Sequence, residues 1–215
     1  MDSGTGDKPL RKISEAFNAI ANTINSQHQQ PDLELASFSR ACSLVSPLFR
    51  CLGIAFKFAE MDYVAKVNDL CEIVVNDLCE TSVSILTLQS MMAKDIENNC
   101  VRKPGSHTRN LLRVKRGLDM VRVLFEQILA SEDNSLKNPA SKAYGQVFSP
   151  YHGWAIRKAV AAGMYALPTK QQLLQKLNED EVSARTEMQN YVTASAIVIM
   201  YIDKLFQSRN LGIDW

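Results

Sequence analysis

The stretch 107–130, HTRNLLRVKRGLDMVRVLFEQILA, decides the fold. Leu111, Val114, Leu118, Val121, Phe125 and Ile128 recur at steps of three and four, which is one apolar stripe along a long helix. Such a stripe has to be covered by other helices or by a sheet. The opposite side carries Arg109 and Arg113, one turn apart, and Arg116 three residues further on.

Outward from this helix, period-two alternation is nearly absent and helical spacing takes its place. Upstream, LRKISEAFNAIANTI sets Leu10, Ile13, Phe17, Ile20 and Ile24 on one stripe. After the polar NSQHQQPD, a second segment starts near Leu33 and meets Pro47, where the proline ring predicts a kink or break. It resumes through LGIAFKFAEMDYVAKV, and a third helix is expected over 84–97. NNCVRKPGS separates that helix from the central one, and SEDNSLKNP reads as the loop that follows. Helical patterns then cover 142–148, 153–166, 171–177 and 179–207. The expectation is an all-α chain of about eight helices, one domain over 1–215.

The segment 67–80, VNDLCEIVVNDLCE, repeats six letters after a step of eight. A solenoid requires several copies at a longer period, and this octet returns once only, filling 67–82. Eight helical residues advance roughly 80° beyond two full turns. A continuous helix would therefore present a rotated apolar face, so the duplication is expected as a local insertion near a helix end.

The chain's 24 Lys and Arg balance 23 Asp and Glu, which argues against nucleic acid as a partner and makes any ion recognition local. Five cysteines without a C-x-x-C pair suit reduced thiols better than a disulfide framework or a zinc site. The N-terminus lacks the apolar segment of a signal peptide, and VTASAIVIMYI is too short to span a bilayer. A soluble, cytosolic protein is expected.

Two constellations stand out. Asp62 and Lys66 form an i, i+4 pair in an aromatic-rich segment, and Arg109 with Arg113 forms another. On spacing alone the first is commonly an exposed ion pair and the second a solvated basic face, although an anion between the arginines also fits. His152, in SPYHGWAIRKAV, reads by itself as a half-buried histidine, and Trp154 beside it as core or as an interfacial aromatic. No G-x-S-x-G, glycine-rich phosphate loop or H-E-x-x-H is present. Asp62 and His152 would make an acid–base dyad for a hydrolase, yet no serine or cysteine is placed by sequence as their nucleophile.

Together, CLGIAFKFAEMDYVAKV, CVRKPGSHTRNLLRVKRGLDMV and YHGWAIRKAV…MYALP resemble the glycolipid transfer protein superfamily, and especially its plant accelerated-cell-death branch, which transfers ceramide-1-phosphate. The resemblance runs from DKPLRKI to LGIDW and implies a two-layer helical sandwich. It implies that Asp62 accepts from the ceramide amide N–H and the sphingoid hydroxyl, that His152 donates to the amide carbonyl, and that Lys66, Arg109 and Arg113 hold the phosphate. Sugar-binding members resemble xxWLKRG where this chain has LLRVKRG, so Arg113 replaces a sugar-stacking tryptophan. A guanidinium fork suits phosphate, and the expected headgroup is therefore phosphate.

The resemblance further implies a non-enzymatic, monomeric carrier that contacts membranes transiently, with Trp154 at the contact and Val160 and Met164 lining the hydrocarbon pocket. No cofactor or metal is expected. A sphingolipid sensor acting through a protein partner is the alternative.

Overall fold

Among residues 8–26, 32–77 and 87–215, which the computed structural model describes (side chains at 55 and 74–77 apart), the chain forms ten α-helices and no β-sheet. They are α1 (Pro9–Ser26), α2 (Leu35–Ser43), α3 (Ser46–Cys51), α4 (Lys57–Asp77), α5 (Leu88–Glu97), α6 (His107–Leu129), α7 (Lys137–Val147), α8 (Trp154–Gly163), α9 (Lys170–Lys176) and α10 (Glu181–Ser208). Short 3-10 turns at Ile54–Phe56, Ser149–Tyr151 and Met164–Ala166 join some of them.

The count exceeds the expected eight because the second segment divides. Pro47 lies in the first turn of α3, where a missing N–H leaves nothing unpaired. The chain turns at Leu44 and Val45, and Gly53 at φ +88° then redirects it into α4. The expected loop after α6 is also shorter than its turn-forming residues suggest. Helix α7 begins at Lys137 and absorbs Pro139 into its first turn. Caps mark several starts: Thr87 and Ser90 form a capping box on α5, Ser106 accepts from Arg109 N–H on α6, and Asp180 accepts from Ser183 N–H on α10.

The helices stack as a two-layer sandwich, with α6 packed against α4, α5, α7 and α10. All six residues of its apolar stripe are buried, as are Leu10, Ile13, Phe17 and Ile20 of α1. Tyr191 of α10 ties these together: its ring meets Phe17 and Phe125 edge-on at 5.1 and 5.6 Å, and its hydroxyl donates to Leu118 O at 3.1 Å. Such edge-to-face pairs add to the area they bury.

The first octet copy is helical. Val67, Leu70 and Ile73 enter the core, and Asp69 Oδ2 lies 2.7 Å from His107 Nδ1. The extra turns thus extend α4 instead of looping out after Lys66, and Val75–Asp77 of the second copy still belong to the helix. Residues 78–82 of the duplication lie outside those described.

Asp95 fixes the start of α6. Its buried carboxylate accepts from Thr108 N–H at 2.7 Å and Ser106 O–H at 2.8 Å, and Cys100 S–H approaches at 3.3 Å. Burial pushes the carboxyl pKa up, but these hydrogen bonds outweigh it and hold the group below its ordinary value. The stabilisation is therefore complete above the unfolded carboxylate range and is lost as pH falls through the depressed folded value. Asp95→Asn is expected to destabilise the protein by about 1–3 kcal/mol near neutral pH. The loss should shrink below about pH 4, where the unfolded chain's carboxyl takes up a proton, and shrink further as the folded one follows at lower pH. Thermal melts of both proteins between pH 3 and 7 check this, and parallel curves throughout that range contradict it.

Candidate functional site

Helices α4 and α6 run antiparallel, since Tyr63 meets Gly117 at one end of the contact and Asp69 meets His107 at the other. Lys66 lies between these two contacts along α4, as Arg109 and Arg113 do along α6. A Cβ on Gly117 would stand 2.5 Å from Tyr63 Cδ2, so the approach depends on glycine. Arg109, Arg113 and Gly117 follow one another at i, i+4 and form a single ridge along α4. The Tyr63 hydroxyl donates to Cys42 O at 2.9 Å and its ring packs 5.1 Å from Phe49, which pins α4 from behind.

Asp62 and Lys66 form the ion pair that their spacing suggests, with Oδ1 and Nζ 2.7 Å apart. The Asp62 carboxylate is 56% exposed and the lysine largely covered. Arg109 is half-buried and Arg113 exposed, and among the described residues neither guanidinium has a hydrogen-bond or ion-pair partner. Two uncompensated cations one turn apart repel each other, and an anion placed between them would relieve that repulsion.

His152 lies near enough to Arg113 and Arg116 to feel both charges. It lies in extended backbone between the Ser149–Tyr151 turn and α8. Its Nδ1 lies 2.9 Å from the Tyr144 hydroxyl, and its ring stacks on Phe148 with centroids 5.7 Å apart and planes inclined by 13°. Burial first, then the charges of Arg113 and Arg116, push its pKa below the ordinary value. The neutral imidazole is thus favoured, and among the described residues its second nitrogen has no hydrogen-bond partner. Burial also raises the Tyr144 phenol above its ordinary pKa, and Arg157 opposes this weakly.

Arg116 has a different role from its two neighbours. Its guanidinium stacks over the Tyr151 ring at 3.6 Å and donates to the backbone oxygens of Ile213 and Trp215 at 2.9 and 2.7 Å. It binds the C-terminal tail to the turn that carries His152. Its partners lie 97 and 99 residues away, so no local pattern separates it from Arg113. Tyr144 and Phe148 likewise escape sequence reasoning about the site, although their i, i+4 spacing places both on the face of α7 that meets His152.

An exposed apolar face adjoins the cluster. Ile54, Phe58 and Met61 project from the 3-10 turn and the start of α4, next to Asp62. Trp154, Ile156 and Tyr165 project from α8 and the turn after it, close behind His152. The two stretches touch each other. Phe58 is 83% and Trp154 69% exposed, too open for core residues. Val160 is half-buried against the core and Met164 is buried, whereas α8 contributes no fully buried residue. A small pocket lined by Ile128, Leu174, Ala184 and Met188 lies beside α9 and α10, apart from this cluster. Among the described residues no group of three or more His, Cys, Asp or Glu could hold a metal ion, and no helix is long and apolar enough to cross a membrane.

Charged and hydrogen-bonding groups at the edge of an apolar face, on an all-helical sandwich, suit an amphiphile with an anionic head. The chain belongs to the glycolipid transfer protein (GLTP) family, which it matches over residues 33–179. It is 64% identical to accelerated cell death 11 of Arabidopsis thaliana, across 100% of both chains. The crystal structure of an Asp→Asn variant of that protein, complexed with C12 ceramide-1-phosphate, superposes with a TM-score of 0.90 at 65% identity and covers 98% of this chain and 100% of the other. The mouse ceramide-1-phosphate transfer protein is 30% identical over 64% of this chain and 66% of its own length.

Proposed function

We propose that this protein is a non-enzymatic carrier that moves ceramide-1-phosphate, or a closely related phosphosphingolipid, between membranes. The observation that carries the reading is the pair Arg109 and Arg113, without a partner among the described residues, on the helix packed against the one that holds Lys66, with His152 near Arg113. A phosphomonoester brings about −1.5 to −2 charges, which these cations match. Charge-assisted hydrogen bonds contribute roughly 1.5–3 kcal/mol each, and a neutral sugar would leave the cations unpaired. The relative that binds ceramide-1-phosphate supports the same headgroup.

In this reading the Asp62–Lys66 pair rearranges as lipid arrives. Lys66 turns to the phosphate, and Asp62 accepts from the amide N–H and the sphingoid hydroxyl. His152 donates to the amide carbonyl. The hydrocarbon chains run under α8 past Val160 and Met164, and because α8 has no fully buried residue, displacing it exposes little apolar surface. Shielding the chains is essential, since twenty methylenes in water would raise a barrier on the order of 16 kcal/mol. The apolar face around Trp154 and Phe58 meets the bilayer, with Lys57, Arg157 and Lys158 beside it for anionic headgroups. The protein acts as a cytosolic, monomeric single domain and performs no chemistry on the lipid.

Vesicle-to-vesicle transfer of labelled lipids tests the reading. Ceramide-1-phosphate is expected to move and glucosylceramide to stay; the reverse result contradicts the headgroup assignment. Tight binding with negligible transfer would favour a lipid sensor working through a protein partner.

A further inference from the structure

We infer that Tyr144 is a positioning residue for headgroup recognition: its hydroxyl donates to Nδ1 of His152 and fixes the imidazole as the Nε2–H tautomer, the form that can donate to an amide carbonyl. This rests on the proposed function for the ligand, but the tautomer itself is a property of the unliganded protein.

The hydroxyl and Nδ1 are 2.9 Å apart, so one of them carries the shared hydrogen. An imidazole nitrogen is a better acceptor than a phenolic oxygen, and a phenol is a better acid than a neutral imidazole. The hydrogen therefore belongs to the tyrosine oxygen. A neutral imidazole with an accepting Nδ1 must carry its hydrogen on Nε2. The opposite arrangement, Nδ1–H donating to the phenol, would leave Nε2 with a lone pair that repels a carbonyl oxygen. It would also leave the phenolic hydrogen without an acceptor among the described residues.

The second point of support is Phe148. Tyr144 and Phe148, one turn apart at the end of α7, hold the imidazole by its edge and by its face. A face contact alone would let the ring turn in its own plane; the edge contact stops that rotation. The groups around the ring keep it neutral. Burial, Arg113 and Arg116 all disfavour a second proton on His152, and burial raises the Tyr144 phenol above its ordinary value. Chemically the pair resembles a metal-bound histidine, in which the hydrogen-bond partner on one nitrogen decides what the other can do.

Tyr144→Phe removes the hydroxyl and retains the ring against His152. The test compares it with wild type in the full-length protein by two readouts. Long-range proton–nitrogen NMR of the three histidines, with His152 assigned from the His152→Gln spectrum, reads the tautomer. Wild type is expected to show Nε2–H at position 152, and Tyr144→Phe a mixture of tautomers.

The second readout is transfer of C12 ceramide-1-phosphate between phosphatidylcholine vesicles, expected to fall about three- to tenfold in Tyr144→Phe with the melting temperature nearly unchanged. Nδ1–H in wild type, an unchanged tautomer in the variant, or a changed tautomer with wild-type transfer would each overturn the inference. Failure of wild type to move the lipid would instead overturn the proposed function, and the NMR result would still decide whether Tyr144 sets the tautomer.

Discussion

Arg113→Glu is expected to abolish ceramide-1-phosphate transfer without unfolding the protein. The two halves of this result have separate causes. Arg113 is exposed and has no ion-pair or hydrogen-bond partner among the described residues, so its removal leaves no buried group unpaired. It also bears unfavourably on Arg116 and His152, whose charged forms it disfavours. Replacing it relieves that repulsion, and the melting temperature should stay level or rise slightly.

Binding loses on two counts. The charge-assisted bonds to the phosphate disappear, about 1.5–3 kcal/mol each, and a carboxylate then faces a group of like charge. At 1.4 kcal/mol per factor of ten, each lost bond weakens binding by roughly ten- to a hundredfold. Repulsion takes it further, below what a vesicle assay detects. Arg113→Gln separates the terms, since it removes the bonds without reversing the charge and should retain measurable transfer. A folded Arg113→Glu protein that moves the lipid at the wild-type rate would contradict the phosphate assignment.

What the sequence disclosed follows from the range of the interactions involved. The stripe of α6 was legible because burial on one face imposes a period that no other structure mimics, and all six of its residues are in the core. The i, i+4 pairing of Asp62 with Lys66 was legible for the same reason: one helix sets it. Breaks inside the second segment were only half legible, since Pro47 marks a boundary but its residence in the first turn of α3 depends on where the preceding helix stops. The octet left open whether the extra residues loop out or continue the helix. Its rotation argument assumes that helix α4 must present one fixed face to one fixed neighbour, yet α4 buries Val67, Leu70 and Ile73 along the extended helix and pairs Asp69 with His107.

Long-range partners were not legible at all. Arg113 and Arg116 look equivalent in RVKRG, and only the folded chain shows one facing solvent while the other holds the C-terminal tail. The Tyr144–His152 contact spans eight residues across a turn, a distance at which helical spacing no longer says which side chains meet.

Gly117→Val is expected to destabilise the protein and weaken transfer together, with Gly117→Ala a graded version of it. A Cβ at this position would lie 2.5 and 2.7 Å from two carbons of the Tyr63 ring, well inside contact distance. The ring cannot easily give way, because its hydroxyl is bonded to Cys42 O and its face is packed near Phe49. Overpacking of this kind costs about 1–3 kcal/mol. Alanine recovers roughly 1 kcal/mol through its better helix propensity, and valine, with two further methyl groups, recovers less. For a chain of this size each kcal/mol lowers the melting temperature by about 2–4 °C.

The strain has a functional consequence that a simple cavity would lack. If α4 backs away from α6 to accommodate the new group, Asp62 and Lys66 move with it while Arg109 and Arg113 stay on α6, and the headgroup site widens. Transfer should therefore fall in Gly117→Ala even at temperatures where the protein is fully folded. Adding Tyr63→Phe releases the tether to Cys42 and should recover part of both losses, a coupling of about 0.5–3 kcal/mol in a double-mutant cycle. Gly117→Ala that melts at or above wild type and transfers normally would show that something other than this glycine sets the spacing between the two helices.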